Sequence, residues 1–555
     1  MGEKRLSREA IARIEIGHTE VSPRLRVLLT LFFLAWIVAV PLGQFAVDVM
    51  GGRTLPGFDI SHKKSSVEQN IVARIEEGNN RLLHNMKILE TDLEENSFLR
   101  GICLPTLQYF LTRFLGQGNE KVVVGKGGIL HYSPGIDALI GPPFLSETQQ
   151  RLRIQAANGW EKPVQPDPLL AIRDFRDQLA QRDIALLLMI VPTKVSVEPA
   201  TLSSRVFQAA PVNRSWPDFT SLLEKEKIPL FDPRRLLESY AREHQSAYLA
   251  TDTHWLPGAM EMVAQELAGY IRQQFPQLSL DSLEFQSVEQ PQEGEGDIAR
   301  MLVLPAGEKL YPSQRVITHQ VLSPENEFWQ PNRESQLLLL GDSFTNIYSV
   351  EGLGWGRGSG FAEQLSRLLG TPLDLLARND NGAYVTREML SSELHRGRDR
   401  LEGKRLVIWQ FAERELALGD WRLFDLKLRE AVESDFYQVE AGQKEVVVAT
   451  VAAISRSARP GSVPYRDNIL TLQLVDVDGE NGTSHGQAIV YGWGMQDNVL
   501  TALARVRPGD RVKMTLTSWD AVESQFGGYR RSPLDDEMLE LESPNWGELD
   551  DDTNQ

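Results

Sequence analysis

The stretch Gln336-Leu337-Leu338-Leu339-Leu340-Gly341-Asp342-Ser343-Phe344 decides the fold. Its leucines form an apolar run of strand length with no polar alternation, the pattern of a parallel strand buried on both faces. The run stops at Gly341-Asp342-Ser343, which presents a serine at the strand tip. Upstream lies Thr251-Asp252-Thr253-His254-Trp255. Residues i and i+2 of an extended segment project to one side. Asp252 can therefore hold Nδ1 of His254 and leave Nε2 for Ser343, which suggests a nucleophile with its base and orienting acid. Each motif alone has a plainer reading. Gly-Asp-Ser fits a turn that caps the next helix, and Thr251, Asp252 or Thr253 fits a helix N-cap with His254 merely exposed.

Working outward, residues 169–182 have amphipathic helical spacing and 184–191 are a second continuous apolar run. A helix is expected after Pro257, with Met260, Val263, Leu267 and Ile271 on one face. Strands are expected at 373–377 and 405–411, with a helix over 361–369. Strands alternating with helices predict an α/β fold, a three-layer parallel sheet. Before it, 122–132 read as a strand, a Gly turn and a strand, and 66–114 as a helical stalk. After Ala441 the pattern changes to short strands at 446–454, 469–477, 488–491 and 511–516, a small all-β barrel or sandwich.

Residues 27–47 carry no charge and are long enough to cross a bilayer. Lys4, Arg5, Arg8, Arg13, Arg24 and Arg26 precede them and Asp48 follows, which predicts an inner-membrane anchor, N-in and C-out, with the body in the periplasm. The net charge of −18 over 555 residues argues against nucleic acid as a partner. Residues 531–555 hold nine Asp/Glu against one Arg, the composition of a solvated acidic tail. Cys103, the one cysteine, excludes an internal disulfide and a multi-thiolate zinc site, and its apolar neighbours predict a buried thiol. The expected partition is cytoplasmic 1–26, anchor 27–47, stalk 48–120, catalytic domain 121–440, β domain 441–530 and tail 531–555.

Asp-x-His also occurs in binuclear metallophosphoesterases, where Asp342 would bridge metals with Asn379-Asp380 nearby. That chemistry needs further histidines, and a suitable His-x-His is absent. No metal or cofactor is therefore expected.

Gly341-Asp342-Ser343-Phe344 with Asp252-Thr253-His254-Trp255 upstream resembles the SGNH-hydrolase-like proteins of the alginate O-acetyltransferase AlgJ/AlgX type. Gly125-Lys126-Gly127-Gly128-Ile129-Leu130-His131-Tyr132, Val191-Pro192-Thr193-Lys194 and Phe411-Ala412-Glu413-Arg414-Glu415-Leu416 are similar to family segments, although Ile129 and His131 stand where aromatics are expected. The resemblance covers roughly 115–420 and the anchor. It implies an SGNH-like sheet with Ser343 as nucleophile, His254 as base and Asp252 as orienting acid. It also implies an oxyanion hole of a glycine N–H and an asparagine, for which Asn379 and Gly382 are candidates, Asn379 fitting an Asx-turn equally well. Lys194 and Arg414 are candidates for an anionic sugar or for ion pairs. The implied activity is O-acetyl transfer to an exopolysaccharide or envelope glycan, with the acetyl group delivered by a membrane-bound O-acyltransferase partner. A carbohydrate esterase and a non-catalytic glycan-binding scaffold are the alternatives.

Overall fold

The computed structural model describes residues 22–50, scattered positions from 79 to 90, and 97–550 apart from 157–162, 380–381, 431–435, 459–462, 480–482, 535–538, 540–541 and a few single positions. Most of the expected stalk lies outside the described residues. The chain divides into two compact units, Met1–Leu104 and Pro105–Gln555.

In the first unit, helix Pro23–Met50 holds the apolar stretch Pro23–Val47, long and apolar enough to cross a membrane at a mean hydropathy of 2.3. Cys103, on helix Phe98–Leu115, is exposed and not buried. Its apolar neighbours Ile102 and Leu107 are exposed as well, so apolar company in the sequence did not mean burial here.

In the second unit a five-stranded sheet carries the site. Its strands are β1 (Ala185–Val191), β2 (Leu230–Phe231), β3 (Leu337–Gly341), β4 (Asp374–Ala377) and β5 (Leu406–Ala412), in spatial order β2-β1-β5-β3-β4, all parallel. Side chains alternate between two cores. Leu187, Met189, Leu337, Leu339 and Ile408 face helices Pro257–Gln274 and Phe361–Leu369. Leu186, Leu188, Leu338, Leu340 and Trp409 face Pro168–Ala180, Trp216–Lys225 and Val385–His395. Both faces are covered, which is why the strands read as unbroken apolar runs. Each buried leucine contributes about 1.5–3 kcal/mol of transfer free energy. β3 lies between β5 and β4, so the Ser343 tip is fixed from both sides.

An antiparallel hairpin, Gln286–Gly294 with Gln314–Leu322, was not legible in the sequence. Its first strand is mostly exposed and polar, with Pro291 inside, and gives no apolar alternation.

The C-terminal module is a closed barrel. Strands Lys444–Ile454, Asn468–Gly479, Ser484–Gln496, Arg511–Ser518 and Pro544–Leu549 are its strands 1 to 5, paired around the ring in the order 1-2-3-5-4-1. Only strands 3 and 5 are parallel. Strand 5 corrects the expected acidic tail. The carboxylates of 531–555 mask Pro544-Asn545-Trp546-Gly547, all buried. Trp546 packs against Trp493 and Phe526. Asn545 bonds the Val439 N–H at 2.9 Å and the Tyr437 carbonyl at 2.9 Å, so the module also begins before 441.

Candidate active site

The end of β3 explains the serine's placement. Asp342 caps a single helical turn, Ser343–Asn346, by accepting the Phe344 N–H at 2.8 Å. The same carboxylate accepts Gln410 Nε2 at 2.8 Å and the Ala412 N–H at 2.9 Å, which locks the turn to β5. A Cβ on Gly341 would fall 2.3 Å from Thr345 Oγ1, so only glycine lets the turn fold back this tightly. The capping turn and the presented serine are thus one structure, with Asp342 doing the capping and Ser343 projecting beyond it.

Asp252 and His254 sit in a loop closed by Leu249 N–H to the His254 carbonyl (3.0 Å) and Leu256 N–H to the Ala247 carbonyl (2.8 Å). The helix starts only at Pro257, so neither residue belongs to a helix cap. His254 Nε2 lies 2.8 Å from Ser343 Oγ and Nδ1 lies 2.6 Å from Asp252 Oδ1. The imidazole packs edge-on against Phe344. Trp255, fully buried, stacks on Phe361 behind the loop, and Tyr348 Oη donates to its carbonyl at 2.6 Å.

Asp252 is held on every side. Oδ1 also accepts the His254 N–H (3.0 Å), while Oδ2 accepts the Asp297 N–H (3.0 Å) and Trp355 Nε1 (3.0 Å). Burial alone would raise its pKa, but the His254 charge and these hydrogen bonds outweigh it and hold the carboxylate well below its ordinary range. Burial alone would lower His254; the charge and hydrogen bond of Asp252, with Asp297 and Asp342 nearby, raise it above 6.5 instead. Asp297 is pushed up by burial and by the Asp252 charge, and its carboxylate accepts Thr253 N–H (2.7 Å) and Oγ1 (2.8 Å).

Ligand atoms of Asp252, His254 and Asp297 lie within 4.8 Å of one another, close enough to ask whether they hold a metal. Their carboxylate oxygens are already engaged by N–H and O–H donors, and so are those of Asp342. The donor set is that of a hydrogen-bonded relay and fits a metal poorly.

The other sequence candidates separate. Asn379 lines the same cleft as Ser343; its Oδ1 accepts Asn346 Nδ2 at 3.1 Å, which leaves its own amide N–H groups for the cleft. Arg414 also lines the cleft, with its guanidinium over Tyr132 and near Glu415. Gly382 does not line it. At φ +69 it packs on the Glu415 carboxylate, where a Cβ would fall 2.5 Å from Oε2. Lys194 is a correction too. It is buried, and its ammonium donates to the carbonyls of Leu130 (2.9 Å), Ala250 (3.4 Å) and Asp252 (2.5 Å), so it braces the Asp252 loop from behind instead of standing at the surface. Burial lowers its pKa to about 8.

Sequence reasoning missed Trp355, Asp297, Asn346 and Gln410. Trp355 had a signal: it sits in Gly352-Leu353-Gly354-Trp355-Gly356-Arg357-Gly358, where Gly354, Gly356 and Gly358 all adopt positive φ. A fully buried tryptophan in so glycine-rich a loop marks a place where the chain bends to deliver one side chain. The cleft in front of Ser343 opens to solvent and offers a volume of about 110 Å³ to the centres of water-sized molecules. The barrel supplies part of its wall through Tyr465, Asp467, Tyr529 and Arg530.

Residues 151–413 match the family described as "SGNH hydrolase-like domain, acetyltransferase AlgX". The chain is 24% identical over 262 residues to a probable alginate O-acetylase AlgJ of Pseudomonas fluorescens, covering 45% of this chain and 61% of that protein. It is 29% identical over 173 residues to the Pseudomonas syringae pv. tomato counterpart, covering 30% and 37%. The chain thus spans less than two thirds of the length of either relative. Among solved structures it is similar to the O-acetyltransferase domain of Pseudomonas putida AlgJ, at 21% identity and a TM-score of 0.41, covering 54% of this chain and 93% of that one.

Proposed function

We propose, from the premise that residues 151–413 are an SGNH hydrolase-like domain of the AlgJ/AlgX type, that this protein transfers acetyl groups to hydroxyls of an exopolysaccharide or envelope glycan. One observation carries the reading: the unbroken chain Ser343 Oγ to His254 Nε2 (2.8 Å) and His254 Nδ1 to Asp252 Oδ1 (2.6 Å).

The chemistry follows from that chain. Ser343 Oγ attacks the carbonyl carbon of a donor acetyl ester while His254 Nε2 takes its proton. Asp252 fixes the tautomer and stabilises the imidazolium. The Ser343 N–H, at the start of its helical turn, and the Asn379 amide are the donors for the tetrahedral oxyanion. Collapse expels the donor alcohol, which takes the proton from His254 and leaves acetyl on Ser343. A sugar hydroxyl then gives its proton to His254, attacks the acetyl carbonyl and leaves as the acetylated sugar with Ser343 restored. Helix Pro23–Met50, whose residues 27–47 are free of charge, would anchor the domain with its body in the periplasm, where a membrane-bound O-acyltransferase supplies the acetyl group.

The test uses full-length protein in detergent with an activated acetyl ester and an oligosaccharide acceptor. Wild type should form an acetyl adduct on Ser343 and acetylated oligosaccharide. Ser343→Ala and His254→Ala should do neither. Transfer by Ser343→Ala at the wild-type rate refutes the mechanism. Deacetylation with no transfer, at any acceptor concentration, makes the protein an esterase.

A further inference from the structure

The barrel's strand order, 1-2-3-5-4-1 with a parallel 3–5 pair, is that of the oligonucleotide/oligosaccharide-binding barrel. Barrels of this type bind extended polymers with the loops between strands 1 and 2 and between strands 4 and 5. Fold alone does not assign function, so the loops themselves must carry the case.

They do so by position. Tyr465 and Asp467 lie in the loop between strands 1 and 2; Tyr529 and Arg530 lie in the connection between strands 4 and 5. All four line the cleft that holds Ser343, His254 and Asn379. The two loops are seated directly on the catalytic elements. A Cβ on Gly528 would fall 3.1 Å from Asn346 Nδ2 and 3.0 Å from Val350 Cγ2, within a turn or two of the nucleophile. One on Gly352 would fall 2.5 Å from both Asp467 Oδ2 and Tyr529 Cε1. Tyr529 is braced from behind by an edge contact with Trp493 at 4.9 Å, and Trp493 rests in turn on Phe526 and Trp546. Trp493 is therefore the backing of this wall. Asp467 Oδ1 accepts the Asp497 N–H at 2.8 Å, which fixes the carboxylate.

We infer that these two barrel loops form an acceptor subsite for a sugar ring next to the acetylated serine, so that the barrel chooses which glycan is modified. This rests on the acyl-transfer reading above. The residue types suit the task. Phenol rings on a rigid backing take the apolar face of a pyranose, while a fixed carboxylate and a guanidinium pair with its hydroxyls, or the guanidinium with a ring carboxylate. A small number of placed polar groups among aromatic ones is the composition of a specific small-molecule site. The acceptor is a chain of hydroxyl-bearing rings lying between the barrel and the parallel sheet.

The test measures binding apart from chemistry. Full-length Ser343→Ala in detergent is titrated with acetyl-free hexasaccharides, one of neutral hexose and one of hexuronate. In that background, Tyr529→Ala, Asp467→Asn and Arg530→Gln should each weaken binding of the preferred hexasaccharide about tenfold or more, with thermal melts recording that each protein folds. Where Tyr529→Ala fails to fold, the two polar substitutions carry the result. Loss of preference between neutral and hexuronate chains in Arg530→Gln identifies its partner as a ring carboxylate; retained preference with weaker binding identifies hydroxyls. Unchanged affinity in all folded variants overturns the subsite. The two readings fail separately. Barrel-dependent binding without any acetyl transfer by the Ser343 protein refutes the acyltransferase and keeps the subsite. Transfer with an unchanged acceptor KM in the barrel variants refutes the subsite and keeps the acyltransferase.

Discussion

Trp355→Phe is the substitution that most directly tests how the triad is held. Phenylalanine keeps an aromatic ring in the fully buried site and deletes one atom pair of consequence, indole Nε1–H to Asp252 Oδ2 at 3.0 Å. A hydrogen bond to a charged group contributes about 1.5–3 kcal/mol. If that loss falls on the transition state, in which Asp252 must stabilise the His254 imidazolium, kcat should drop by about 10- to 150-fold at tenfold per 1.36 kcal/mol. The smaller ring also leaves a void and costs about 1–3 kcal/mol of stability. The two effects separate by assay. Turnover of an activated acetyl ester should show reduced kcat with KM little changed. The downfield Nδ1–H proton resonance of His254 should move or vanish. Trp329→Phe, a buried indole whose N–H has no partner in the structure, gives the stability cost alone. Trp355→Phe with wild-type kcat and an unmoved Nδ1–H resonance refutes the argument, as does a kcat loss no larger than that of Trp329→Phe.

Other outcomes follow from the same geometry. His254 must be neutral to accept the Ser343 proton, and its pKa is raised, so the rate should climb with pH through a midpoint above 6.5; a midpoint at or below that value contradicts the assignment. Glu363 is buried, accepts the Ser349 hydroxyl at 2.8 Å, and burial raises its pKa to about 7. A raised folded-state pKa makes the native state lose stability as pH rises from the ordinary carboxylate range through about 7. Glu363→Gln should therefore gain up to about 3 kcal/mol over wild type at pH 8 and little at pH 5, read from urea midpoints. Lys194→Met should lower the melting temperature sharply, because it strips three buried carbonyls of their donor at about 1–3 kcal/mol each. A Lys194→Met protein with unchanged melting but a raised acceptor KM would show a sugar contact instead.

The sheet was legible because its strands are buried on both faces. Residues 184–191 and 337–340 carry no polar alternation, and hydrophobicity alone marks them. Ser343 and the Asp252/His254 pair were legible because their residue types are rare in combination and their order is informative. What escaped is what only tertiary contact creates. Trp355 reaches Asp252 from a loop and Asp297 from the start of helix Asp297–Met301, and Gly296 lies so close to Thr251 that a Cβ would overlap its carbonyl. Lys194 looked like a surface cation because nothing in Val-Pro-Thr-Lys says that its ammonium turns inward. The strand Pro544–Leu549 was hidden by charge counting, since the acidic residues around it outweigh four buried positions.

That strand has a consequence in time. It sits between barrel strands 3 and 4 and completes the ring, yet it is made long after Ser343 and His254. A chain synthesised from its N-terminus makes Ser343 and His254 before the strand that closes the barrel. Until residues 544–549 arrive, Tyr529 lacks the Trp493–Trp546 backing and two barrel edges stand open. Ending the protein at Ser543 should leave a serine that still pairs with His254 but reacts without selection, shedding acetyl to water and binding hydrophobic dyes through Trp493 and Phe526. If the barrel loops form the acceptor subsite inferred above, the order of synthesis makes selectivity a later acquisition than the Ser343–His254 pair.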